Sequence, residues 1–160
     1  MYADFVYYTE KYSGKLLKTA EDFNHYGRKA GRRIDVITGF KLQSAFPTNE
    51  NHAEAVKDCF CELVEFLYQV DQYQTAAVES AGVVQQSDGT VKGKVITSIS
   101  SGSESISYSA GGSVKSSIAA AAEDKGRADR EIYRIVYDGL SMIPDDRGIN
   151  LLYAGITDLV

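Results

Sequence analysis

Two histidines, two cysteines and the adjacent carboxylates Asp145 and Asp146 are the residues of this 160-residue chain weighed first for chemistry. His25 and His52 have no cysteine or second histidine at ligand spacing, and a zinc site needs three or four such groups, so no metal site is expected. Cys59 and Cys61 stand two apart; on one helix their side chains diverge and cannot bond each other. They read as reduced thiols, Cys59 in the core and Cys61 nearer the surface. Gly89-Thr-Val-Lys-Gly93-Lys94 looks like a phosphate loop but has one residue too few between its glycines, and Val95 stands where Ser or Thr would hold magnesium. No Gly-x-Ser-x-Gly elbow is present, and Asp145-Asp146 reads as turn capping rather than an acid–base pair. The expectation is a protein that is not an enzyme, with no catalytic residues and no cofactor.

Charge and rings point instead to contact surfaces. Arg28, Lys29, Arg32 and Arg33 share one side of a helix, which is either a solvated face or a patch that meets an acidic partner surface or DNA. Net charge is −5 and the isoelectric point near 5.0, which argues against a protein whose main task is gripping a phosphate backbone. Eleven tyrosines and no tryptophan suit rings buried on one side and wet on the other, as at interfaces.

The elements that position these groups are mostly helical. Residues 1–18, with Tyr2, Phe5, Tyr7, Tyr8 and Tyr12, read as an irregular aromatic entry segment ordered by packing. Thr19 caps a helix running to about Thr38 and stopped by Gly39, with Phe23, Tyr26, Ala30, Ile34 and Ile37 on its buried face. Phe40–Pro47 reads as a short loop. Asn51–Gln72 is the central helix, capped by Asn51 with Glu54 completing a capping box; Val56, Cys59, Phe60, Leu63 and Leu67 face the core, and Asp58 and Glu65 face away. Residues 94–109 alternate around Gly102 as a β-hairpin, which is marginal alone and must lie on helices or pair with another chain. An alanine-rich helix over Ser116–Glu123, broken near Gly126, continues through Ala128–Leu140 with Ile132, Ile135, Val136 and Leu140 on one side. A short tail, 149–160, carries Leu151-Leu152-Tyr153. The expected architecture is mainly α: a single small domain, 1–160, of about four helices with one β-hairpin. There is no run of about 18 apolar residues to span a membrane. Asp4 stands where a signal peptide would carry a base, so no standard export signal is expected.

Tyr2-Ala-Asp-Phe-Val-Tyr-Tyr, Tyr12-Ser-Gly14, Phe23 with the Ala30, Ile34-Asp35 and Thr38 series, and Ala55-Val56-Lys57 through Leu67-Tyr68 together resemble the head–tail connector (adaptor) proteins of tailed bacteriophages and prophages. The serine- and glycine-bearing stretch from Ser98 to Tyr108 and the closing Leu151-Leu152-Tyr153-Ala154-Gly155-Ile156 resemble that family's later segments in the same order. The long polar connection from Gln74 to Gly93 and the early end of the tail depart from it.

The resemblance implies a structural virion protein, made in the bacterial host cytoplasm and placed at the head–tail junction. Its partners there would be the portal protein, a neck or tail completion protein, and copies of itself in a ring of twelve through which DNA passes without specific binding. The interface residues expected on this basis are Tyr2, Phe5, Tyr7, Tyr8, Arg28, Lys29, Arg32, Arg33, Ile106, Tyr108, Leu151, Leu152 and Tyr153. The alternatives are another phage neck or tail completion protein, or a small nucleic-acid-binding regulator using the four cations.

Overall fold

The structure, a computed structural model, describes the backbone of residues 1–80, 83–85, 91–93, 98–101, 104–107 and 117–153, and the side chains of 1–77 and 117–153. It is mainly helical. The described helices are α1 (Phe5–Glu10), α2 (Ala20–Ile37), α3 (Lys41–Ser44), α4 (Glu50–Ser80), α5 (Ser117–Glu123) and α6 (Lys125–Leu140). No helix among the described residues is long and apolar enough to cross a membrane.

The chain divides into two compact units, Met1–Leu67 with Arg130–Val160, and Tyr68–Asp129. The first holds most of the described core. Phe23 and Ile34 of α2, Val56, Phe60, Leu63 and Val64 of α4, Val136 and Leu140 of α6, and Leu151 are all fully buried in it. In the second, Gln74 Nε2 donates to the Ala122 carbonyl at 2.9 Å, and Ala119 and Ala121 are buried. There strands β1 (Val83–Gln85) and β2 (Val91–Gly93) pair antiparallel, as do β3 (Ser98–Ser101) and β4 (Glu104–Ser107), with Ile99 opposite Ile106. The turn and flanks of the expected 94–109 hairpin lie outside the described residues.

The entry segment is not irregular as expected. Asp4 caps α1 by accepting from the Tyr7 backbone N–H at 2.8 Å. A six-residue helix is unstable alone, and this one is held by its rings: Tyr8 lies 5.0 Å from Phe23, and Phe23 packs edge-on to Phe60 at 6.0 Å. Tyr8 is wholly buried; its hydroxyl donates to Glu65 Oε1 at 2.6 Å and accepts the Leu16 and Leu17 N–H groups at 3.0 and 3.2 Å. The chain returns over that ring at Gly14, where a Cβ would stand only 2.0 Å from Tyr8 Cε2.

Helix α2 follows its expected course, with Thr19 accepting from the Asp22 N–H and Gly39 at φ +60° beyond its end. After it the expected loop contains α3, entered through Phe40 in the left-handed region. The central helix is capped by Asn49, whose Oδ1 accepts from the His52 N–H at 3.2 Å, and not by Asn51. Local sequence offers two asparagines. The choice is made at long range, because Asp146 accepts the Thr48 N–H at 2.8 Å and fixes where the chain turns into the helix. The helix also extends to Ser80, beyond the expected Gln72. The break before α6 falls at Asp124 rather than Gly126, since Asp124 Oδ1 accepts from the Gly126 N–H at 2.7 Å.

Cys61 is as buried as Cys59, contrary to expectation. Helix α4 is covered on more than one side: Cys59 faces α6, where Gly139 lets the backbones approach (a Cβ there would meet Cys59 Cβ at 2.8 Å). On the other flank lie Cys61 and Glu65, the latter drawn inward by Tyr8. Burial, together with the charges of nearby carboxylates, pushes both thiols up to about 12.

Candidate docking surfaces

Four cations define the first surface. Arg28, Lys29, Arg32 and Arg33 are all exposed on α2, opposite the face that carries Phe23, Tyr26, Ala30 and Ile34 into the core. Their spacing of one, three and four residues places them along one side of the helix. Lys29, Arg32 and Arg33 line a shallow depression of about 420 Å3 with Val36 and Leu67. Val36 is 60% exposed, and Phe40 just beyond is also exposed, so charge here borders uncovered apolar surface. The Lys29 ammonium also sits 5.1 Å above the Tyr26 ring, which orients the side chain.

A second surface was not singled out by the sequence reading. Glu54, Asp58 and Glu62 are exposed along α4 at intervals of four residues, the spacing that stacks side chains on one helix face. Asp4 and Tyr7 of α1 border it, with the Tyr7 hydroxyl donating to Asp58 Oδ1 at 2.8 Å and the Lys57 ammonium 5.2 Å from the Tyr7 ring. On the α6 side Arg134 is clamped between Glu131, at 2.5 Å, and Asp138, at 3.0 Å. Glu62 is held above the usual carboxylate range, first by partial burial, then by the negative charges of Asp138, Glu65 and Glu131 against the opposing pull of Arg134. Repeated carboxylates at i, i+4 were the available signal.

The expected interface residues separate into groups. Tyr8 and Leu151 are wholly buried inside this chain and offer no surface to a partner. Phe5 is half-buried against Tyr8 and Phe23. Tyr2 stacks on Phe46 and donates from its hydroxyl to buried Asp35, which also accepts from Gln43 Nε2 at 2.7 Å. Burial, then that carboxylate, pushes the Tyr2 hydroxyl upward, which keeps it a donor. Tyr2 and Tyr7 line a second depression, of about 390 Å3, with Lys57.

Leu152 is half-buried and Tyr153 exposed. The Lys41 ammonium ties their turn down by donating to the carbonyls of Asn150, Leu151 and Tyr153. Ile106 lies in β4 and Tyr108 outside the described residues. The structure therefore brings together the four α2 cations and, separately, Tyr2 with Tyr7. Tyr133 and Tyr137 of α6, stacked at 6.2 Å and 55% and 51% exposed, form a further outward aromatic pair at i, i+4 spacing.

Among the described residues no group of three His, Cys, Asp or Glu is placed to hold a metal ion. Asp145 and Asp146 act as caps: Asp145 accepts the Arg147 and Ile149 N–H groups, both at 2.9 Å, and a guanidinium contact from Arg147 at 3.0 Å. Comparison with protein-family models, curated proteins and solved structures found no match to this chain.

Proposed function

We propose that this chain is a structural head–tail connector of a tailed bacteriophage or prophage. It assembles as a ring of twelve between the portal and the next neck or tail component, so that DNA is retained and passed. The motif resemblance supplies the family. The observation that carries the reading is the outward presentation of Arg28, Lys29, Arg32 and Arg33 on a helix whose other side is anchored in the core. Exposed charge on a helix anchored in the core, bordering a shallow open depression, is suited to docking another protein rather than to enclosing a substrate. A closed ring uses heterologous contacts, so each subunit needs two different complementary surfaces. Net charge of −5 suits a channel along which DNA slides without being gripped.

The test is to mix purified protein with its portal rings and image them by electron microscopy. An added ring on the tail side of the portal is expected; portals that stay bare overturn the reading. A salt-sensitive DNA gel shift that disappears on charge reversal of the four cations, with no portal binding, establishes the nucleic-acid regulator instead.

A further inference from the structure

The basic depression on α2 and the acidic stripe on α4 point away from each other within one subunit. Leu67, in the depression, follows Glu54, Asp58 and Glu62 on the same helix. At about 100° per residue its direction lies roughly 180° from the mean direction of those three carboxylates. One molecule thus carries opposite charges on opposite sides of α4, where they cannot neutralise each other. Each surface is opposite in charge to the other on a second copy.

We propose that neighbouring subunits join head to tail, the Glu54–Asp58–Glu62 stripe of one copy seated in the Lys29–Arg32–Arg33 depression of the next. The ring reading above supplies the partner's identity; the choice of surfaces comes from the geometry. The stripe is crowded with negative charge. Glu131 and Asp138 flank Glu62 from α6, and Arg134 is already engaged by those two carboxylates. Cations arriving from outside relieve that crowding. The exposed side of Val36 is covered in the same step, which adds an apolar contribution to a contact otherwise screened by salt. Repeating one such contact generates a ring if its rotation closes.

The experiment uses two charge-reversed variants at exposed positions, Lys29→Glu with Arg32→Glu, and Glu54→Lys with Glu62→Lys, each checked for native circular dichroism. Isotope-labelled and unlabelled chains are mixed and treated with a carbodiimide, which joins an amine to a carboxylate only in direct contact. In wild-type protein an inter-chain link from Lys29 to Glu54, Asp58 or Glu62 is expected, and it should be lost in roughly 1 M salt, where the Debye length is about 3 Å.

Each variant alone should lose self-association in sedimentation. The two mixed should regain it, because each then offers a charge-matched face to the other. Absence of the inter-chain link, or a mixture that associates no better than its components, overturns the pairing. Wild-type rings deposited on the portal without the Lys29 link sink the pairing and leave the connector reading standing; the link present with bare portals does the reverse.

Discussion

Replacing Tyr8 with Phe isolates what one hydroxyl contributes to the scaffold beneath both surfaces. The ring stays, so contacts with Phe5, Phe23 and Tyr12 are kept. Three polar groups lose a partner: the Leu16 N–H, the buried Leu17 N–H, and the Glu65 carboxylate. A buried donor left unsatisfied costs about 1–3 kcal/mol. Leu16 and Glu65 recover part of their loss from water, because both are only half-buried. The expected loss is therefore ~2–4 kcal/mol, or a fall in melting temperature of roughly 5–15 °C for a chain of this size.

The loss depends on pH with a definite sign. Glu65 is raised above the ordinary carboxylate value by burial, against the lowering effect of the Tyr8 hydrogen bond. Removing that bond raises it further. A carboxyl whose folded value lies above its unfolded value contributes fully below the unfolded value, about 4.3, and loses that contribution as pH rises through the folded one. The Tyr8→Phe deficit should thus be larger at neutral pH than near pH ~4. Urea titrations followed by circular dichroism at the two pH values measure it. A midpoint unchanged from wild type at neutral pH, or a deficit that grows on acidification, refutes the reasoning.

Asn49→Ala should cost about 1 kcal/mol and Asn51→Ala much less, because only Asn49 accepts from the helix start; urea midpoints of the two variants decide it. Cys59 and Cys61 should resist Ellman's reagent in native protein and both react once unfolded, since they are buried and raised to about 12. A native thiol that reacts within the mixing time would contradict that placement. Burial alone would raise Asp145, but the Ile149 and Arg147 N–H groups and the Arg147 guanidinium outweigh it and hold the carboxyl below its usual range. The stability it contributes is present above about pH 4 and lost as pH falls through its lowered value. Asp145→Asn should be less stable than wild type at neutral pH, with the gap closing on acidification; a gap independent of pH between about 2 and 5 counts against it.

Periodicity and end chemistry made much of the scaffold legible. The buried face of α2, its Thr19 cap and Gly39 stop, and the Ile132, Ile135, Val136 and Leu140 face of α6 follow from local spacing alone, because a helix buries whatever repeats at three and four residues. The exposure of Arg28, Lys29, Arg32 and Arg33 was readable for the same reason.

Choices between equivalent local options were not. Asn49 prevailed over Asn51 through a carboxylate 98 residues away from Thr48. Cys61 and Glu65 turned inward because α1 covers a side of α4 that periodicity assigns to solvent, and α1 exists because Tyr8 finds Phe23, Glu65 and two backbone amides at once. The acidic stripe was written in the spacing of Glu54, Asp58 and Glu62. Its position facing away from the basic depression was decided only when α2 and α4 packed. Local sequence sets which residues share a helix face; which way each face points depends on what else in the chain needs to be buried.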